Sequence, residues 1–144
     1  MIFRWRGVLA LLAMSLAACG SQAAPIHIRC DIDPQVSAKD AAAAVALRDD
    51  ICRAFSDRIT MAAPGREVIR DAQGDALGAL ELSLNVTSVS LKPTADSITA
   101  AFTWRLGDQT KTNSLTMTVV DAPLSSPMFA SLLDALWAAN QPPL

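Results

Sequence analysis

The feature that most constrains this chain is a period-two alternation of apolar and polar residues in its second half. An apolar residue occupies every second position in residues 80–86, and the same spacing returns in residues 98–106 and 115–119. Successive side chains of a strand point to opposite faces of a sheet, so each run predicts a strand with one buried face. Gly107-Asp108 and residues 92–96 separate the runs and predict turns. The chain is therefore expected to form an antiparallel sheet that buries one face only.

The two faces of this sheet differ sharply in chemistry. The alternation changes phase after Val86, where Val89 and Leu91 continue the apolar face, and such a shift predicts a β-bulge near Thr87-Ser88. The face opposite the core is polar and rich in hydroxyl groups, with Ser83, Thr99, Thr103, Arg105, Thr112, Ser114, Thr116 and Thr118.

The first half of the chain predicts a strand followed by a long helix. Residues 25–31 alternate, and Ile26, Ile28, Cys30 and Ile32 share one face. Pro34 ends that run, Ser37 offers an N-cap, and a helix is expected from Ala38 to Ile59. The side of this helix that faces the core is expected to carry Val45, Cys52, Phe55 and Ile59.

A second helix is expected at the end of the chain. Ser126-Pro127 places a proline in its first turn, and Pro142-Pro143 ends it. Its buried side is expected to carry Phe129, Leu132, Leu133, Leu136 and Trp137, with Trp137 and Trp104 packed together.

These elements predict an α+β fold with the order β-α-β-β-β-α. Two helices cover one face of a four-stranded, mostly antiparallel sheet, and a single domain spans residues 25–144. The segment from Thr60 to Gly78 is long for a loop in a compact domain. It is therefore either a functional loop or the site of a short element that the periodicity does not show.

Residues 1–18 have the build of a secretory signal peptide. Arg4 and Arg6 precede an apolar run that ends in small residues. The run has about twelve residues, fewer than the ~20 that cross a bilayer as a helix. We therefore expect a signal that is removed after export.

The end of this signal, Leu16-Ala17-Ala18-Cys19-Gly20, resembles the lipobox of bacterial lipoprotein precursors. The resemblance implies that Cys19 is lipidated, palmitate included, and becomes the amino terminus, followed by a short tether, residues 19–24. It further implies attachment to the periplasmic face of the outer membrane, since Gly20 replaces the aspartate that favours inner-membrane retention. The element order is also similar to that of outer-membrane lipoproteins that assist lipopolysaccharide assembly or transport, although no diagnostic motif of those families is present.

A different cleavage site leads to a different location. Ser21 and Ala23 are small residues at the positions that an ordinary signal peptidase reads, so a cut after Ala23 would discard Cys19. The product would then be soluble in the periplasm. We favour the lipobox, because a cysteine is uncommon at this position of a signal.

Two of the three cysteines remain in the domain on either cleavage. Cys30 and Cys52 both lie on sides expected to face the core, and exported chains meet an oxidising compartment. A disulfide between them is predicted, with two buried free thiols as the alternative. The spacing is not Cys-x-x-Cys, which argues against redox catalysis.

The sequence offers little chemistry for catalysis. His27 is the single histidine, and we interpret it as a solvated residue at the start of an edge strand. Asp31 and Asp33 project to the same side, but Pro34 marks them as a strand end before a turn. We expect no metal and no cofactor. A small hydrolase or ligand-binding protein that uses Asp31, Asp33 or residues 60–78 is the alternative to a non-enzymatic domain that binds an envelope protein.

The charge balance argues against nucleic acid as a partner. The full chain has a formal charge of −2, and removal of Arg4 and Arg6 leaves ten basic against fourteen acidic residues, a charge of −4. Phosphate backbones are bound by clusters of basic residues. The expected partners are therefore a membrane, through the lipid, and an envelope protein.

Replacement of Cys19 by serine tests the anchor. Without the sulfur no lipid is attached, and the protein should move from the membrane fraction to the soluble periplasmic fraction. Cell fractionation with immunodetection measures this, and Ser21→Ala, which keeps the lipobox, should stay with the membrane. Membrane attachment of the Cys19→Ser protein equal to that of the control would contradict the anchor.

Overall fold

The computed structural model describes residues 23–37, 41–70 and 78–144. The predicted signal peptide and Cys19 lie outside these residues. The elements are β1 (Ile26–Ile32), α1 (Pro34–Ser37), α2 (Ala41–Ala62), β2 (Val68–Arg70), β3 (Leu80–Leu91), β4 (Ala95–Leu106), β5 (Gln109–Val120) and α3 (Ser126–Asn140). In these three ranges no helix has the length and hydropathy that a membrane crossing requires.

The strands form one mixed sheet in the order β2-β1-β3-β4-β5. β1 runs parallel to β2 and to β3, whereas β3, β4 and β5 form an antiparallel meander. The expectation of an α+β fold is confirmed, but the expected counts of four strands and two helices are wrong, and the sheet is mixed where a mostly antiparallel one was expected. The additional helix is the short α1. The additional strand is β2, which lies inside the segment from Thr60 to Gly78. Three residues are too few to show a period, so the sequence pattern could not reveal it.

The predicted phase change in β3 is a β-bulge. The pairing of β3 with β4 shifts between Val86 and Ser88, and from there Val89 pairs with Ile98 on the core side. The extra residue lets both halves of this twelve-residue strand keep their apolar side chains on one face. The turns at residues 92–94 and 107–108 also lie where the sequence predicts them.

The core lies between the sheet and the helices α2 and α3. Phe102 of β4 is its centre: its ring meets Phe55 of α2 edge to face at 5.6 Å and stacks on Trp137 of α3 at 5.5 Å, measured between ring centroids. Trp137 therefore packs on Phe102, whereas we expected it to pack on Trp104. The indole nitrogen of Trp104 instead donates a hydrogen bond to the backbone oxygen of Asn140, at 2.9 Å.

The first helical region differs from the expectation in its start and in one buried side chain. The chain already turns into α1 at Pro34, where the carboxylate of Asp33 accepts a hydrogen bond from the backbone nitrogen of Gln35 at 2.8 Å. The expected cap by the Ser37 side chain lies outside the described part of the chain. Val45 is 58% exposed, because Ala44 and Ile51 define the side of α2 that meets the sheet. Val45 lies on the neighbouring side, where Cys52 is only half-buried.

Asn140, the last residue of α3, is a fully buried polar side chain. Its amide nitrogen donates to the backbone oxygen of Phe102, and its side-chain oxygen accepts from the amide of Asn113, both at 2.6 Å. These bonds tie the end of α3 to β4 and β5. A buried polar group with its partners satisfied costs little, whereas its removal leaves those partners without bonds.

Replacement of Asn140 by alanine should therefore destabilise the domain by about 1–3 kcal/mol, because the oxygen of Phe102 would lose its partner. Urea unfolding followed by circular dichroism measures the change in the free energy of unfolding. Asn85→Ala, at an exposed position of β3, is the matched control and should change stability by less than about 0.5 kcal/mol. Equal effects of the two substitutions would contradict this role of Asn140.

Candidate functional site

Cys30 of β1 and Cys52 of α2 are joined by a disulfide, with their Cα atoms 5.7 Å apart. The pair lies where the strand and the helix meet, as the pattern of both elements predicts. Both residues are half-buried and pack against the edge of the core. The bridge therefore fixes α2 to β1 close to the point where the chain enters the sheet.

The chain enters the domain at one end of the sheet. Residues 23–25 lead directly into β1, whose first residue, Ile26, pairs with Val68 and with Leu80. The guanidinium of Arg66 donates to the backbone oxygen of Ala24 and holds this entry segment against the end of α2. We call this end of the sheet the entry end.

An open groove of about 680 Å³ lies at the opposite end of the sheet. Its walls come from three places: the first half of α2 with α1, the last residues of β3, and the segment that leads into α3. The residues that line it are Val36, Ala44, Ala46, Leu47, Asp50, Val89, Ser90, Leu91, Asp96, Pro123, Leu124 and Phe129. We call it the far groove. β3 runs from the entry end to the groove, and its twelve residues span roughly 40 Å.

The last residue of β3 is open to solvent in this groove. Leu91 lines the groove and is 56% exposed.

The charged residues that line the far groove in the described part of the chain have one sign. They are Asp50 and Asp96, and no described lysine or arginine is among the lining residues. Asp96 also has a structural role, because one of its carboxylate oxygens accepts from the backbone nitrogen of Leu124 at 3.3 Å. Asp50 has Arg53 3.9 Å away, on the solvent side of α2. The groove is thus apolar with two carboxylates, which suits an apolar group that carries a positive charge.

The sequence did not reveal this groove. Its residues are spread from position 36 to position 129 and follow no motif, so only the packing of α1, α2 and the α3 entry brings them together. The one available signal was Leu91, an apolar residue at the very end of a strand, next to a turn.

The residues proposed for catalysis lie apart from each other. Asp31 is exposed on the polar face, and Asp33 binds the start of α1. Neither aspartate lines a described pocket together with an acidic residue of the Thr60–Gly78 segment. Residues 71–77 of that segment lie outside the described ranges. In the described part of the chain, no group of three histidine, cysteine, aspartate or glutamate side chains could hold a metal ion.

His27 is not at a sheet edge, contrary to expectation. It lies in β1, between Ile69 of β2 and Glu81 of β3, and is half-buried on the polar face. Among the described residues its Nδ1 atom has no hydrogen-bond partner. Glu81 itself binds Arg105 of β4, with its carboxylate 2.6 Å from the guanidinium. Residue 69 belongs to the strand that the sequence did not predict, which is why β1 appeared to be outermost.

The charged side of α2 borders a second, smaller depression of about 310 Å³. Arg48, Asp49, Arg53 and Arg70 surround it, next to the disulfide. Arg70 donates to the hydroxyl of Ser56 at 2.7 Å. The three other charged residues are exposed, as expected for a solvated face of a helix.

The polar face of the sheet carries paired hydroxyl groups. Thr99 and Thr116 face each other across β4 and β5 with their oxygens 2.7 Å apart, and Thr103 and Thr112 repeat the arrangement at 2.8 Å. Such cross-strand pairs stabilise a sheet on its solvated side.

No family of known proteins and no curated protein matches this sequence. Among solved structures, lipoprotein GNA1162 from Neisseria meningitidis is similar with a TM-score of 0.47 and 13% identity, over 81% of this chain and 96% of that chain. A structure described as an uncharacterized protein is similar with a TM-score of 0.45 and 12% identity, over 82% of this chain and 87% of that chain. Our proposals rest on the residues of this chain and not on these likenesses.

Removal of the disulfide by Cys30→Ser together with Cys52→Ser should lower stability by about 3 kcal/mol, since the sequence separation is 22 residues. Urea unfolding of the oxidised protein and of the double variant measures this difference. Added reductant should destabilise the original chain and leave the double variant unchanged. Two reactive thiols per unfolded, unreduced chain, without loss of stability in the variant, would contradict the bridge.

Proposed function

We propose that this chain is a lipid-anchored protein of the bacterial envelope that binds a protein partner in the far groove and performs no catalysis. The lipobox-like sequence at Cys19 supports the anchor, and the disulfide fits an exported chain. The far groove is the observation that carries the binding role, because it is a concave apolar surface with few polar groups.

The proposed anchor would lie at the end of the domain opposite the groove. A tether of residues 19–24 would reach at most roughly 20 Å from the entry end. The far groove begins at Val89, about 30 Å from the start of β3. A lipid at Cys19 would hold one end of the domain at the membrane while the groove stays free for a partner.

The groove also restricts the chemistry of its occupant. Burial of Leu91 and of the exposed parts of Leu47 and Leu124 favours an apolar segment. Asp50 and Asp96 favour a lysine or arginine in that segment and disfavour an acidic one. We therefore propose that the partner contributes an apolar segment with a basic side chain.

Photocrosslinking in intact cells tests this proposal. A photoreactive amino acid at Leu91 should form an adduct with an envelope protein, because Leu91 lies in the groove and is exposed. Met61, which is 75% exposed at the other end of α2, is the control position and should not form that adduct. Mass spectrometry of the adduct identifies the crosslinked segment, which should be apolar and basic.

Asp50→Asn provides the matched chemical test. Loss of its charge should lower the yield of the Leu91 adduct about fivefold, as expected for one ion pair. Asp57→Asn, at an exposed position farther along α2, should leave the yield unchanged. Asp96 is unsuitable for this test because it also holds Leu124. Identical adducts from Leu91 and Met61, or an acidic crosslinked segment, would contradict the proposal.

A further inference from the structure

β5 is a long edge strand. It pairs with β4 along its full length, from Gln109 opposite Leu106 to Val120 opposite Ala95. In the part of the chain that the structure describes, no strand lies on its other side. Every second residue of an edge strand directs its N–H and C=O groups outward, where they can pair with another strand.

β5 has few of the features that prevent edge strands from pairing. Proteins protect such edges by short strands, prolines, bulges or charged side chains. β5 has twelve residues, contains no proline, keeps a constant register with β4, and carries one charged residue, Lys111. The opposite edge, β2, has three residues and is protected by its shortness.

The core side of β5 is also incompletely covered. Leu115, Met117 and Val119 point toward the helices but are only half-buried. A further strand beside β5 would bury these side chains.

We propose that β5 pairs with β5 of a second copy of this chain, antiparallel and centred on Thr116. This inference concerns a surface other than the far groove and goes beyond the proposed function. A two-fold axis perpendicular to the sheet places the helices of both copies on the same side, so that one continuous sheet is formed.

The choice of register follows from the side chains. Residues that pair across the axis must lie on the same face, so the sum of their numbers must be even. Centring on Thr116 places Leu115 opposite the partner's Met117, and by symmetry the reverse, which joins the half-buried apolar side chains. The same register brings Lys111 next to the partner's Asp121, the exposed residue at which the chain turns out of β5. Two apolar pairs and two charge pairs therefore match in a single register.

Cysteine crosslinking in cells tests the pairing. In the full chain, Thr116→Cys places two thiols across the two-fold axis, and a disulfide-linked dimer should appear on a non-reducing gel. Thr99→Cys is the matched control, because Thr99 is the hydroxyl partner of Thr116 but lies one strand inward on β4. A dimer with Thr116→Cys and none with Thr99→Cys supports the proposal. No dimer, or equal amounts in both variants, overturns it.

A charge exchange tests the register in the Thr116→Cys background. Lys111→Glu and Asp121→Lys should each lower the yield of dimer about fivefold, because each substitution brings like charges together at both symmetry-related contacts of the dimer. The double variant with both substitutions should restore the yield of dimer. Lys92→Glu, at an exposed position in the turn after β3, is the control and should have no effect. A double variant that dimerises no better than the single variants overturns the proposed register.

Discussion

The aromatic contact between the sheet and both helices is the interaction on which the rest of the structure depends. Phe102 lies between Phe55 of α2 and Trp137 of α3, and the guanidinium of Arg58 covers the Trp137 ring at 4.9 Å. Burial of one such ring contributes about 2–3 kcal/mol, a large share of the stability of a small domain. This contact fixes where the two helices lie on the sheet. The position of the disulfide, the open far groove and the half-covered strand β5 all follow from that placement.

The long strands and their bulge could be predicted from the sequence because burial of one face imposes a period of two over many residues. The apolar side of α3 was equally clear, since Phe129, Leu132, Leu133 and Leu136 are all buried. β2 could not be predicted, because Val68–Arg70 is held by its parallel pairing with β1 and not by a pattern of its own. Val45 was placed wrongly because α2 is rich in alanine, so hydropathy alone does not define which side of it meets the sheet.

The far groove could not be predicted from the sequence, for a different reason. The far groove depends on how the chain segments around residues 36 and 123 pack near the end of β3, and these segments share no motif. The exposure of β5 likewise depends on strand order, which is a property of the whole sheet. The disulfide between Cys30 and Cys52, in contrast, could be predicted, because both residues lie on neighbouring regular elements and exported chains meet an oxidising compartment.

We propose that a lipid on Cys19 holds the disulfide-bonded domain at the membrane, and the mass of the intact protein from the cell envelope tests this anchor most directly. We predict a chain that begins at Cys19, carries a diacylglyceryl group and an acyl chain, and is lighter by the hydrogens that one disulfide removes. A mass that corresponds to an unmodified chain beginning at Ala24 would contradict the anchor.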